Sequence, residues 1–325
     1  MSIDVVCLRP EADFTRVGVT PPNSLNIAYR KPDDADLPAL LQQARAVVMP
    51  AVGPKLPAVL FEGTTLKVVQ ITGAGVDRLD ETALKKLGIP VANVPGGSNS
   101  AVAEYVTACA SVLLRRFAWS DSEIKKGNYV PFRNRMMADN LAGIDGATVG
   151  VVGMGVIGMA VAQAFHRIGC EIVYFDPVLK DKSKAEAMNA KALALDDLLK
   201  TSDVVTLHVP LIPATANLIG TKQLALMKKD AVLINGARGG VVDEAALAQA
   251  LTDNRIAGAA VDVYSIEPAT ADNPLLKLQG EAASRLLLTP HVAGVTRQSA
   301  AFLFKASWEN VQNVLNGGSV ANRVY

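Results

Sequence analysis

At 325 residues the chain is too long for one ordinary hydrophobic core and long enough for two domains. Half of it is apolar, only 5% is aromatic, and 32 Lys and Arg against 31 Asp and Glu leave a net charge of +1. This balance argues against a nucleic-acid or lipid surface as the partner and for a small, well-buried substrate. The excess of Ala, Val, Leu and Ile suits buried parallel strands covered by helices on both faces. Cys7, Cys109 and Cys170 are scattered, with no C-x-x-C spacing, so no metal site is expected and a reducing compartment is. The first residues carry neither a basic segment nor an apolar run of export type, and every long apolar stretch is broken by Gly, Asp or Lys. A cytoplasmic location, away from membranes, is the expectation.

The first third alternates short strands with helical patterns. Ile3 to Leu8 reads as a strand, Asp33 to Ala46 as a helix with Leu37, Leu40 and Leu41 on one face, and Ala46 to Met49 as the next strand. Leu66 to Thr72 and Val91 to Val94 continue the alternation, with a helix from Thr82 to Leu87 closed by Gly88. From Ser98 to Lys126 the helical pattern is unusually long, which suggests a connector or an interface. Gly127 to Gly146 has no pattern and reads as an arm or functional loop. At Thr148 the alternation restarts, with strands at Thr148–Val152, Glu171–Phe175, Val204–Leu207, Ala231–Asn235, Ala257–Val263 and Leu286–Thr289. A last amphipathic helix runs from about Gln298 to Leu315 and stops at Gly317 and Gly318.

The segment Val149-Gly150-Val151-Val152-Gly153-Met154-Gly155-Val156-Ile157-Gly158 is a strand followed by G-x-G-x-x-G and an Ala-rich helix. Gly153 permits a tight turn, Gly155 lets backbone approach a pyrophosphate, and Gly158 lets helix and strand pack closely. The amides of Val156 and Ile157 open the helix, where free N–H groups and positive partial charge suit phosphates. Asp176 ends the second strand, where a carboxylate accepts from ribose hydroxyls and repels a 2′-phosphate, favouring NAD over NADP. Lys180, Lys182 and Lys184 lie close enough to offset part of that charge, so the strictness of the preference stays open.

Three later segments carry side chains that do not suit a core. Arg238 follows a strand in the Gly-flanked turn Asn235-Gly236-Ala237-Arg238-Gly239-Gly240, Glu267 follows Asp262-Val263-Tyr264-Ser265-Ile266, and His291 follows Thr289-Pro290. Beyond the carboxyl ends of parallel strands all three can face one crevice. A planar guanidinium holds a carboxylate in two hydrogen bonds. An imidazole takes or gives the proton of a secondary alcohol, and a neighbouring carboxylate fixes its tautomer and favours its charged form. His208, at a strand end, is open to two readings, lining a nicotinamide pocket or capping a loop; His166 reads as structural.

These segments, with Gly73-Ala74-Gly75-Val76-Asp77, Asn93-Val94-Pro95-Gly96, Val102-Ala103-Glu104, Leu207-His208-Val209-Pro210-Leu211 and His291-Val292-Ala293-Gly294, closely resemble the D-isomer-specific 2-hydroxyacid dehydrogenases. The resemblance implies an α/β chain of two Rossmann/flavodoxin-like lobes with parallel sheets and the active site in the cleft between them. Residues 1–99 with 292–325 would be the substrate-binding lobe and residues 100–291 the NAD-binding lobe. It implies that Arg238 binds the substrate carboxylate and keto oxygen, that His291 is the acid/base supported by Glu267, and that amides around Ala74 and Gly75 help hold the carboxylate. Asp262 would meet the nicotinamide end of NAD, with His208, Pro210, Ala237, His291 and Gly294 completing the cofactor site. The expected activity is hydride transfer between NAD and C2 of a small 2-hydroxy or 2-keto acid, glyoxylate- or hydroxypyruvate-like, in a homodimer formed through the long helix and the arm. Gly236 stands where the family often has a larger residue. The Met49–Lys55 segment lacks an Arg-Ser pair expected of phosphoglycerate-specific members, Ala74 replaces the Lys of phosphite-oxidising relatives, and Glu267 replaces the Gln of formate-oxidising ones. A dinucleotide-sensing scaffold and a silent oligomerisation module are the competing readings.

Overall fold

The computed structural model describes residues 3–179 and 182–325. The chain divides into two compact units, one made of residues up to Ser98 with Val295–Tyr325, the other of Asn99–Gly294.

The first unit is built on five parallel strands: β1 (Val5–Cys7), β2 (Ile27–Tyr29), β3 (Ala46–Met49), β4 (Val68–Ile71) and β5 (Val91–Ala92), in the order β2-β1-β3-β4-β5. This is the flavodoxin-like order. Alternate residues point to opposite faces, and both faces are covered, so β1, β3 and β4 are apolar almost throughout. Val6, Val47 and Val69 pack with Leu37, Leu41, Phe61 and Leu84, while Val5, Val48 and Val68 pack with Phe304, Trp308 and Val311 of the Arg297–Leu315 helix. Each such fully buried side chain contributes about 1.5–3 kcal/mol. Parallel strands bring their exit loops to one edge. There Thr72 N–H donates to Met49 O, Val94 N–H donates to Gly73 O, and a Cβ on Gly73 would stand 2.8 Å from that of Ala51. Buried Arg78 donates to the carbonyls of Pro50 and Pro54, both at 2.8 Å, tying the loop after β3 to the one after β4.

The second unit carries seven parallel strands: β6 (Thr148–Val152), β7 (Glu171–Phe175), β8 (Lys191–Ala192), β9 (Val204–Leu207), β10 (Val232–Asn235), β11 (Gly258–Val261) and β12 (Leu286–Leu288). Their order, β12-β11-β10-β9-β6-β7-β8, reverses between β9 and β6, the position where doubly wound sheets open a ligand crevice. The Asn99–Leu114 and Val156–Arg167 helices cover one face through Val106, Ala110, Val161 and Phe165. Leu198, Leu224, Leu247 and Leu251 cover the other. Gly150, inside β6, is required by that second layer, since a Cβ there would lie 2.3 Å from Ser202 Oγ.

Several expected elements take a different form. The long helix is two, Asn99–Leu114 and Phe117–Lys125, broken where Arg116 turns to φ +50; the first of them is a covering layer of the second unit. The patternless arm contains a helix, Tyr129–Ala138. Its single buried side chain, Phe132, packs on Trp119 at 5.3 Å between ring centres, so one contact rather than an apolar stripe organises it. Arg135, 4.6 Å from the Trp119 ring, fastens the same segment to Glu281. Of the Asp33–Ala46 helix only Leu37–Leu41 forms. The edge strands β2 and β8 were not expected, since β2 offers only three half-buried apolar residues and β8 is exposed.

Candidate active site

The turn after β6 is shaped by backbone sterics. Gly153 sits at φ +91, its N–H donates to Phe175 O at 2.9 Å, and a Cβ on it would stand 2.6 Å from His208 O. A Cβ on Gly158 would meet Gly153 O at 1.9 Å, so helix and strand pack at a distance that only glycine allows. Gly155, which caps the Val156–Arg167 helix, differs, because nothing lies within 4 Å of its would-be Cβ. Open space in front of the first-turn amides of Val156, Ile157 and Gly158 fits the pyrophosphate of a dinucleotide. Asp176 accepts from Met154 N–H at 2.7 Å and Val178 N–H at 2.9 Å, so it braces this turn from the end of β7. Lys180 lies outside the described residues.

The three candidate catalytic residues follow adjacent strands. Arg238 lies beyond β10, Glu267 beyond β11 and His291 beyond β12. Buried Asn235 forms the first turn, with Nδ2 donating to Arg238 O at 3.2 Å and Oδ1 accepting from Ala237 N–H at 3.2 Å. Gly239 presses this turn against the next loop, where a Cβ would fall 1.9 Å from Tyr264 O. That loop is held by Glu244, which accepts from Ser265 N–H at 2.7 Å and Asn273 Nδ2 at 2.9 Å, and by Glu267 Oε1, which accepts from Tyr264 N–H at 3.0 Å. Glu267 Oε2 lies 2.8 Å from His291 Nδ1. A carboxylate only accepts, so Nδ1 is the donor and Nε2 is left as the working nitrogen. Both side chains keep 27% exposure, enough for a reactant to reach the ring.

His291 adopts φ +58, unusual for a non-glycine residue. Asp262 holds it there. This fully buried residue accepts His291 N–H through its carbonyl, Val292 N–H through Oδ1 and Ala293 N–H through Oδ2, all at 2.8 Å. Thr289 Oγ1 adds a hydrogen bond to Oδ1 at 2.6 Å. Across the crevice His208 N–H donates to Val152 O at 2.7 Å and its ring Nε2 pairs with Thr206 Oγ1 at 2.9 Å. Burial pushes the His208 imidazole down to about 3, so it stays neutral under ordinary conditions. Pro210 O accepts from Thr215 Oγ1 in the same exit loop, Ala237 is buried beside Arg238, and Gly294 closes the unit after the His291 turn. Ala74 and Gly75 belong to the first unit, in the loop after β4, where Ala74 O accepts from Asn93 Nδ2 at 2.7 Å. The supporting residues Asn235, Glu244, Tyr264 and Thr289 escaped sequence reasoning. Asn235 bonds within its own turn, the partners of the other three lie one loop or one helix away, and only the Thr-Pro-His spacing hinted at any of them.

Residues 107–293 match the profile of the D-isomer specific 2-hydroxyacid dehydrogenase, NAD binding domain. A D-3-phosphoglycerate dehydrogenase of Archaeoglobus fulgidus is 36% identical over 266 residues, covering 82% of this chain and 48% of that protein. The chain thus spans about half the length of that relative. A glyoxylate reductase of Korarchaeum cryptofilum is 36% identical over 259 residues, 79% of this chain and 75% of its own length. Among solved structures, a D-lactate dehydrogenase of Treponema pallidum aligns over 99% of both chains with a TM-score of 0.79 and 29% identity.

Proposed function

Because the chain belongs to the D-isomer-specific 2-hydroxyacid dehydrogenases, we propose that it is an NAD-dependent oxidoreductase that reduces a small 2-keto acid and oxidises the matching D-2-hydroxy acid. When bound at the Gly153–Gly158 turn, NADH would supply the hydride for C2. Arg238 holds the substrate carboxylate and leans on the keto oxygen, a role that its planar fork suits. His291 Nε2 gives the carbonyl oxygen its proton during reduction and takes the hydroxyl proton in the reverse direction. Glu267 accepts from Nδ1, which fixes the tautomer and orientation of the imidazole and leaves Nε2 to exchange the proton. Asp262 Oδ2, with one protein donor at 2.8 Å, has acceptor capacity left for the carboxamide end of the cofactor. His208, Pro210, Ala237 and Gly294 flank that end. Amides near Ala74 and Gly75, in the loop after β4, are the further carboxylate donors that the family resemblance implies.

The 2.8 Å contact between Glu267 and His291, in the loops after the two strands that neighbour the Arg238 strand on one side, is the observation that carries this reading. NADH oxidation followed with glyoxylate, hydroxypyruvate, pyruvate and bulkier aliphatic or aromatic keto acids tests it. Turnover of at least one is expected, and NADH binding with no turnover of any would favour the sensing scaffold.

The quaternary assignment is a homodimer formed through residues 117–138. Phe117, Ile124, Tyr129, Val130 and Met137 are exposed there, an apolar density unusual for a free surface. Deleting residues 128–138 should shift the protein toward monomer in sedimentation. An unchanged, active dimer would show that the segment is only surface.

A further inference from the structure

A line of hydroxyls links the Asn99–Leu114 helix to the His291 turn. Tyr105 Oη lies 2.7 Å from Thr289 Oγ1, which lies 2.6 Å from Asp262 Oδ1. The carboxylate can only accept, so the single Thr289 proton goes to Asp262, and Tyr105 must then be the donor to Thr289. Burial pushes the phenol far above its ordinary range, which keeps that proton in place at every working pH. Beyond Asp262 the line divides, Oδ1 receiving Val292 N–H and Oδ2 receiving Ala293 N–H. These amides directly follow the left-handed His291, a conformation that costs a non-glycine residue about 1–3 kcal/mol and persists only where its surroundings enforce it. The Tyr105 ring also packs beside Gly236, where a Cβ would lie 3.9 Å from Cε1 and 3.6 Å from the Ala293 Cβ. The missing side chain at position 236 thus leaves the room that the tyrosine and the histidine turn share.

We propose that Tyr105 is a positioning residue for the reaction: through Thr289 it orients the Asp262 carboxylate, and that carboxylate clamps the turn that aims His291. The proposal rests on His291 being the acid/base. It assigns a function to the hydroxyl of a helix residue that touches neither substrate nor the imidazole. The ring alone would fill the same space, so the hydroxyl and not the bulk is at issue.

The test compares Tyr105→Phe, Thr289→Val and the double variant with wild type. In each, kcat and KM for the best keto acid, NADH affinity by fluorescence, and hydrogen exchange of the Val292 and Ala293 amides are measured. Loss of one buried hydrogen bond should speed exchange of these amides and lower kcat by about 3- to 10-fold in Tyr105→Phe. KM for the keto acid should stay within about twofold of wild type, because the Arg238 clamp is untouched, and NADH affinity should fall by less than kcat, because Asp262 also meets the carboxamide end of the cofactor. If the two hydroxyls form one line, the double variant should be no worse than Thr289→Val alone. Unchanged exchange at Val292 and Ala293 in Tyr105→Phe, or losses that multiply in the double variant, would overturn the proposal. Faster exchange in the variants of an enzyme that turns over no keto acid would uphold the clamp and sink the role given to His291.

Discussion

The glycine turn after β6 and the histidine turn after β12 lie at the same edge of one sheet, and they are held in different ways. At Gly153 and Gly158 the backbone comes so close to other backbone that no side chain fits, and shape alone enforces the turn. At His291 a side chain sits in a conformation it does not favour, and a buried carboxylate with its donors enforces that. Steric enforcement is local, written in two glycines within six positions. Polar enforcement is distributed, drawing on residues 105, 262 and 289 from one helix and two loops. The first kind of site tolerates no added atom, whereas the second tolerates no lost hydrogen bond.

His291→Ala should have the largest effect. Removing the acid/base should lower kcat about 10²- to 10⁴-fold while NADH affinity stays near wild type, since the glycine turn is intact. Arg238→Ala should also raise KM for the keto acid, because the guanidinium acts in ground and transition state alike. Steady-state kinetics beside NADH fluorescence titration separates the two. Near-normal kcat in His291→Ala would mean that the proton takes another route.

The glycines offer a second, smaller test of the same contrast. Gly153 is enclosed and Gly155 is open, so the two should fail differently. Gly155→Ala has room for its methyl in the free protein and should leave Tm unchanged, yet weaken NADH about 10- to 100-fold by blocking close approach of the pyrophosphate. Gly153→Ala must give up its positive φ and clear His208 O, and should lower stability by about 1–3 kcal/mol. Calorimetry with NADH titration checks both. Equal losses of stability would show that Gly155 is a fold residue too.

This contrast also explains what could be read from the chain before its structure. Strands β6, β7 and β9 coincide with their expected bounds, because parallel strands buried on both faces are uninterrupted apolar runs. The glycine turn, Arg238, Glu267 and His291 were visible, since glycine spacing and polar residues at strand exits are sequential signals. The edge strands Ile27–Tyr29 and Lys191–Ala192 were not, the first because three half-buried residues make too short a run, the second because it is exposed. The Tyr129–Ala138 helix was hidden because it buries only Phe132. Tyr105 looked like any aromatic residue on a buried helix, and its hydroxyl acquires meaning only through Thr289, 184 positions away.

Asp176 joins the two modes of enforcement, being a polar brace on the steric turn. Its charge should repel a 2′-phosphate, so NADH should be preferred over NADPH in kcat/KM. Asp176→Asn removes the charge and keeps one of the two acceptors that brace Met154 and Val178. The preference should narrow about tenfold, the effect of one charge–charge repulsion of roughly 1.4 kcal/mol. A wild type that prefers NADPH would remove Asp176 as the selector.

The smallest expected effect separates the two histidines at the crevice. His208 is held at about 3 by burial, far below the 6.5 of a free imidazole. An unfolded chain takes up a proton at this residue as pH falls below 6.5, whereas the folded chain refuses it until near 3. Stability is therefore fully kept above 6.5 and lost as pH falls from there toward 3, because the unfolded state binds more protons. Between about pH 7 and about pH 4.5 the loss from this residue should be about 1–2 kcal/mol, the lower part of what the shift allows, since the residue retains some solvent contact. His208→Gln never titrates and can keep the hydrogen bond to Thr206. Its urea midpoint should fall less than that of wild type over the same interval, even if its stability at neutral pH is lower. The kcat profile of the variant should keep the shape of the wild-type profile, because His208 carries no proton in the reaction. A variant that loses as much stability in acid as wild type would show that His208 is hydrated and titrates freely. A profile that changes shape would put it in the proton path beside His291.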